Sequence, residues 1–127
     1  MKQGIKTDDA PKVPGLLSQA IVSNGTVYVA GQIHMTASGE IVEGTVAEKL
    51  KQIMKNFEAI LKAAGAEFGD VLKVTIYVTD MGQMPELNKE YPSYFKEPLP
   101  AREAVCVKEL PLGASIEISV IAEVPKG

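Results

Sequence analysis

The sharpest alternation of apolar and polar residues in the chain spans residues 71–79. Every second position there is apolar, namely Leu72, Val74, Ile76 and Val78. The positions between them carry Lys73, Thr75, Tyr77 and Thr79. Because successive side chains of a strand point to opposite faces, this pattern predicts a β-strand with one buried face.

Four further segments are typical of strands. In residues 19–31, two β-rich runs flank Asn24-Gly25, a pair that tolerates the positive φ angles of a tight hairpin turn. Gly31 is predicted to follow the second run. Residues 102–108 and 115–124 are predicted as two more strands, which we interpret as a possible hairpin. The apolar alternation of the last strand places Glu117 on the face opposite its isoleucines.

Apolar residues recur at spacings of three and four in two segments, which predicts helices over 45–65 and 84–95. Thr45 and Glu48 match a capping box at the start of the first helix, and Gly65 matches its end. Pro92 lacks an amide proton, so we expect the second helix to break or tighten there.

This order of elements predicts an α+β fold, with one β-sheet and two helices packed on one face. A single domain is expected over residues 1–127, with residues 1–17 as an extended arm. The second sheet face then needs a cover. Tyr77, Cys106 and Ile121 are candidates to lie on it, which predicts a homo-oligomer packed sheet against sheet.

Composition narrows the function classes. The chain has 127 residues, 46% of them hydrophobic, one Cys, one His and a net charge of −3. A lone Cys excludes an internal disulfide or a Cys-rich zinc site within one chain. The acidic balance disfavours nucleic acid as a partner, and no apolar run is long enough to span a membrane.

Without a secretory signal or an Arg-rich presequence, we expect a cytoplasmic protein, or a mitochondrial one if a leader was removed.

Two charged residues are the strongest candidates for chemistry. Arg102 is the only Arg among thirteen basic residues, and Glu117 lies between isoleucines in a predicted strand. A hairpin of the last two strands would bring them towards one site. The two residues would then be either a structural ion pair or a functional pair. In the functional pair, Arg102 binds a carboxylate and Glu117 transfers protons or orients water.

Three other residues carry weaker signals. Cys106 would need a base to act as a nucleophile, and nothing in the sequence places His34 beside it. We therefore interpret Cys106 as a packed or inert thiol and His34 as a loop residue. Gly31 lacks the glycine pattern of a nucleotide-binding loop, although its backbone amide is available for an anion at a strand end.

Four segments together resemble the YjgF/RidA family of reactive-intermediate deaminases: Ala30-Gly31-Gln32-Ile33, Asn88 to Phe95, Pro100-Ala101-Arg102 and Ile116-Glu117-Ile118. The resemblance extends from about Ala10 to Glu123. It implies a chorismate-mutase-like fold, a homotrimer and ligand clefts between subunits. It also implies hydrolysis of 2-iminobutanoate and 2-iminopropanoate to 2-keto acids and ammonia, without cofactor or metal.

The resemblance assigns roles by position. Arg102 matches the arginine that binds the substrate carboxylate, and Glu117 matches the glutamate that positions the attacking water. Gly31 matches a glycine whose backbone contacts the ligand, and Asn88 matches a polar residue near the cleft. Three further site positions depart from the common residues: Leu17 replaces a tyrosine, Ala30 a serine and Ala104 a cysteine. His34 stands where many members have proline.

These departures keep a second function open, a non-catalytic trimer that binds 2-keto acids or a protein partner. A third, RNA cleavage by an endoribonuclease, is reported for some members of the family. The acidic charge, the single Arg and the single His make a ribonuclease site difficult to build, so this function ranks last.

Overall fold

The computed structural model describes residues 1–125 as one mixed six-stranded sheet with the order β1-β2-β3-β6-β4-β5. The strands are β1 (Gln3–Ile5), β2 (Ala20–Ser23), β3 (Thr26–Ile33), β4 (Val71–Val78), β5 (Ala101–Cys106) and β6 (Ile116–Glu123). The helices are α1 (Val46–Ala63) and α2 (Met84–Glu90). In the described residues, neither helix has the length and apolar character required to cross a bilayer.

Both helices cover one face of the sheet, as the sequence predicts. The side chains of α1 that point to the sheet are fully buried and include Leu50, Ile53, Phe57, Ile60 and Leu61. They pack on alternate residues of the central strands, such as Val74, Ile76, Ile116 and Ile118. This single core fixes the sheet rigidly beneath any site built on its strand ends.

The predicted local signals are confirmed. Asn24 and Gly25 have φ angles of 50° and 78°, which the β2–β3 turn requires. Thr45 and Glu48 form the reciprocal capping box at the start of α1. After α2, the chain tightens into a 3-10 turn over Tyr91–Tyr94, since Pro92 cannot donate the next helical hydrogen bond.

Two predictions about local structure are wrong. Residues 1–17 are not only an extended arm, because β1 pairs antiparallel with β2. Leu72 is not in the core but 45% exposed. The pairing of β4 with β6 shifts between Val71 and Lys73, so that Val71 takes the buried position and Leu72 turns outward.

The last two strands do not form the hairpin that the sequence left open. The connection through α2 makes β5 parallel to β4, which places β5 at the edge of the sheet. A 3-10 turn over Pro111–Gly113 then precedes β6, which lies antiparallel between β3 and β4. Consequently β4 separates the two strands that carry Arg102 and Glu117.

The second face of the sheet has no covering layer within residues 1–125. It presents apolar side chains from β3 to the edge strand β5, including Tyr28 at 51% and Val105 at 42% exposure, together with Tyr77 and Ile121. We call this surface the open face. Cys106 does not belong to it, because Cys106 is in register with the buried Val78 on the helix side. Assembly into an oligomer through the open face stays a prediction.

Candidate functional site

Gly31 and Glu117 form the most constrained contact on the open face. A register shift between Val29 and Gln32 inserts an extra residue into β3, so Gly31 lies within the strand and not after it. The Glu117 side chain crosses directly over the Gly31 backbone. An added Cβ at Gly31 would overlap a Glu117 carboxylate oxygen and come within 3.0 Å of its carboxyl carbon. Only glycine permits this position of the acid.

The Glu117 carboxylate is half-buried and has no countercharge within residues 1–125. It receives no hydrogen bond there, and burial raises its pKa above the ordinary value. The structural ion pair with Arg102 that the sequence left open is therefore absent from the folded chain. A carboxyl group of raised pKa beside an exposed backbone is suited to exchanging protons with a bound water.

Arg102 lies on the helix side of the sheet. It is in register with Val74 of β4, and its guanidinium carbon lies 4.8 Å from the centre of the Tyr91 ring. Asn88 precedes Tyr91 by one helical turn and is exposed on the same side of α2. Ala104, two residues after Arg102, shares its face and packs against the core. The fold thus gathers Asn88, Arg102 and Ala104 on the helix side.

Ala30 lies next to Gly31 in β3, and Leu17 lies shortly before β2, the strand that pairs with β3. The amide of Ala30, the neighbour of Gly31, donates to the carbonyl of Gln19 at 2.9 Å. Leu17 lies two residues before Gln19, where its amide closes a turn onto the Val13 carbonyl, and its side chain is 49% exposed. Both side chains are apolar, so this part of the surface offers no hydroxyl group from these positions.

The predicted convergence of Arg102 and Glu117 through a hairpin does not occur. With β4 between them and a register offset of three residues, their Cα atoms are about 14 Å apart, and their side chains point to opposite faces. The sequence-predicted residues therefore form two separate groups in one chain.

His34 is a buried structural residue just beyond β3. Its Nδ1–H donates to the carbonyl of Val42 at 2.9 Å, and its Nε2 accepts from the amide of Ser115 at 3.0 Å. Desolvation lowers the pKa of the imidazole, which keeps the ring neutral. With both nitrogens engaged, His34 does not stand in for a polar group of the site.

Cys106 ends β5 and is exposed, so of the two interpretations, a packed or an inert thiol, the packed one is wrong. Its sulfur lies 3.9 Å from the carbonyl of Val107, and the one imidazole of the chain is engaged elsewhere. No three His, Cys, Asp or Glu side chains of residues 1–125 converge as metal ligands.

Tyr91 contacts the candidate residue Arg102, and sequence reasoning missed it. Its place on the apolar face of the second predicted helix indicated only core packing. Its position three residues after Asn88 was the available signal, because residues with this spacing lie next to each other on a helix.

The fold is α+β, and the candidate residues form two groups on opposite faces of one sheet. A family model described as "Endoribonuclease L-PSP" matches residues 7–124. A 2-iminobutanoate/2-iminopropanoate deaminase of Rattus norvegicus is 45% identical over 123 residues, covering 96% of this chain and 90% of the relative. A RutC family protein of Pyrococcus horikoshii is also 45% identical, covering 96% and 98%. The crystal structure of a conserved Rid family protein from Yersinia pestis has a TM-score of 0.94 at 40% identity, covering 98% of this chain and all of that one. The chain belongs to the YjgF/RidA family.

Proposed function

We propose that this protein hydrolyses small 2-imino acids such as 2-iminobutanoate and 2-iminopropanoate to 2-keto acids and ammonia, in a cleft shared by neighbouring copies of a homotrimer. The observation that carries the proposal is the Glu117 carboxylate, half-buried over Gly31 with no countercharge among residues 1–125 of its own chain. The deaminases among its relatives supply the reaction class.

The chemistry requires few groups. In our proposal, Glu117 accepts a proton from water as the oxygen forms a bond to the imine carbon. Glu117 returns this proton to the imine nitrogen, which gives a carbinolamine. Glu117 then takes the hydroxyl proton of the carbinolamine and passes it to the amino nitrogen as the carbon–nitrogen bond breaks, so that ammonia leaves and the carbonyl of the keto acid remains. Arg102 of a neighbouring copy binds the substrate carboxylate through its planar fork of donors. Because the imine carbon is already electrophilic, orientation and proton transfer account for catalysis without cofactor or metal.

The architecture supports a shared cleft. Each chain leaves Tyr28, Val105 and their neighbours uncovered on the open face, and it carries Arg102 and Glu117 on opposite faces. Packing the open faces together would bury the apolar surface and bring the edge strand β5 of one copy towards Glu117 of the next. Gly31, Asn88, Ala30, Leu17 and Ala104 would then line the cleft.

The direct test couples the protein to a threonine dehydratase and traps the imine with semicarbazide. The wild-type protein should suppress semicarbazone formation. Glu117→Gln should reduce this activity by about 10²- to 10⁴-fold, the range of general acid–base contributions. Glu123→Gln, at the exposed end of the same strand, is the matched control and should retain full activity. Unchanged semicarbazone formation with wild type contradicts the proposal.

Complementation tests the shared cleft. Arg102→Ala and Glu117→Gln are each expected to be inactive, but refolding their mixture should create clefts with both native groups. Random assembly would restore about a quarter of the wild-type clefts, since each residue comes from a different copy. No recovery in an assembled mixture would contradict a cleft formed from two chains.

The absence of hydroxyl groups at Leu17 and Ala30 favours a second function, a trimer that binds 2-keto acids without turnover. Calorimetric binding of 2-ketobutanoate together with no deaminase rate would establish it. RNA cleavage gains no support from the site, because His34 is buried with both ring nitrogens engaged.

A further inference from the structure

We infer that Tyr91 is a positioning residue for the proposed reaction. Its aromatic ring is the platform that holds the Arg102 guanidinium in place to bind a carboxylate. The inference rests on the proposed function, since that function supplies the anionic substrate. The guanidinium carbon lies 4.8 Å from the centre of the ring, well inside the ~6 Å reach of a cation–π contact.

Arg102 is held by this ring and not by an acid. The two ion pairs within residues 1–125 are Lys12–Asp8 and Lys73–Glu103, and no side-chain hydrogen bond of Arg102 is formed in the same part of the chain. An acidic partner would occupy the guanidinium donors and compete with a ligand. An aromatic face attracts the cation and leaves its five N–H groups free for a carboxylate.

The Tyr91 ring is itself fixed. It is 7% exposed and packs on Phe95 with ring centres 4.9 Å apart. It also begins the 3-10 turn that Pro92 imposes after α2, so the backbone under the ring is constrained. A fixed platform limits the rotamers of a long Arg side chain before the ligand arrives, which lowers the entropic cost of binding.

The hydroxyl group of Tyr91 takes no part in this role. Its oxygen is buried and has no hydrogen-bond partner within residues 1–125. Burial also raises the pKa of Tyr91, which keeps the phenol neutral. The ring and the hydroxyl can therefore be tested separately, with Tyr91→Phe keeping the ring and Tyr91→Leu removing it.

The first measurement is independent of catalysis. Arg102 is the only Arg, so arginine-labelled protein gives a single folded Nε–H resonance in a ¹⁵N correlation spectrum. The Tyr91 ring current should displace this resonance from its position in urea-unfolded protein. The displacement should persist in Tyr91→Phe and disappear in Tyr91→Leu. A wild-type resonance without displacement, or one unchanged in Tyr91→Leu, overturns the inference, and the wild-type comparison requires no variant to fold.

The second measurement is kinetic. In Tyr91→Leu the KM for 2-iminobutanoate should rise about three- to thirtyfold with little change in kcat, which corresponds to the usual strength of a cation–π contact. Tyr91→Phe should keep the wild-type KM. Phe57→Leu is a matched truncation of a fully buried side chain on the core side of α1, and it should also keep the wild-type KM. An equal rise of KM in Phe57→Leu would assign the effect to lost packing and overturn the inference.

The two proposals fail in different ways. If the wild-type protein does not hydrolyse imines, the proposed function falls, and the resonance of Arg102 still decides whether Tyr91 is its platform. If imines are hydrolysed and Tyr91→Leu keeps the wild-type KM, the deaminase remains and the positioning role of Tyr91 is refuted.

Discussion

The Glu117 carboxylate lies directly over the backbone of Gly31, where a methyl group would overlap it. Two features of the sheet create this contact. The extra residue in β3 brings the glycine backbone under β6, and the alternation of β6 directs Glu117 to the open face. The contact fixes the acid by shape, since no hydrogen bond or ion pair within residues 1–125 holds it.

Gly31→Ala should therefore damage activity more than stability. The new Cβ would push Glu117 away from its position, and a displacement of about 1 Å can reduce a rate about 100-fold. We expect kcat to fall by at least about tenfold, measured in the semicarbazide competition assay. Gly4→Ala is the matched control, because an added Cβ there meets only Ser18 Oγ at 3.7 Å. Full activity in Gly31→Ala would contradict the steric role of the glycine.

Protonation of His34 should destabilise the fold. Desolvation makes its pKa lower in the folded chain than in the unfolded one, so the unfolded chain binds the proton more readily. The stabilising contribution is present above about pH 6.5 and declines as the pH falls through the folded-state pKa. Urea unfolding at pH 7.5 and 5.5 should show this loss in wild type. His34→Gln, which cannot titrate, should show a smaller difference between the two pH values. An equal difference would exclude His34 as its source.

A charge on the open face should abolish assembly and activity together. Tyr28 is 51% exposed in the middle of this face, opposite Ile121 of β6. Tyr28→Glu would place a carboxylate where the proposed trimer buries apolar surface, and a charge without a partner is costly to bury. Sedimentation velocity should show dissociation, with loss of imine hydrolysis. Leu112→Glu, in the exposed turn before β6, is the control and should remain assembled. An active, monomeric Tyr28→Glu variant would contradict the shared cleft.

Thr45→Ala should destabilise the protein by about 1 kcal/mol through loss of the helix cap. The Thr45 hydroxyl accepts from the amide of Glu48 at 3.1 Å, and the Glu48 carboxylate accepts from the amide of Thr45 at 3.0 Å. Chemical denaturation should reveal the change without altering kcat. Glu48→Gln keeps an acceptor at the same place and should cost less. A Thr45→Ala variant as stable as wild type would show that the cap contributes nothing.

The sequence predicts local structure well wherever a single physical rule decides it. Alternation alone assigns Glu117 to the open face, and the spacing of Thr45 and Glu48 identifies the start of α1. The pairing of strands is different, because it depends on contacts distant in sequence. The tight Leu110-Pro111-Leu112-Gly113 segment is compatible with a hairpin, yet β6 passes β4 and pairs on its far side.

The sequence was sufficient to predict which residues belong to the candidate site, but not how they are arranged in space. Arg102 stands out as the only guanidinium, and Glu117 as an acid among isoleucines. The aromatic ring beside Arg102 was overlooked, because an aromatic residue on an apolar helix face ordinarily indicates core and the spacing from Asn88 was the only signal. The irregular start of β4, which turns Leu72 outward, also has no signature in the alternation.

The position of β4 between β5 and β6 has a consequence for how the protein would behave in a test tube. If catalysis needs the sheet edge of one copy and the sheet centre of the next, the rate per molecule must depend on the protein concentration. Dilution below the dissociation constant of the trimer would then abolish the activity of every copy, while each copy stayed folded.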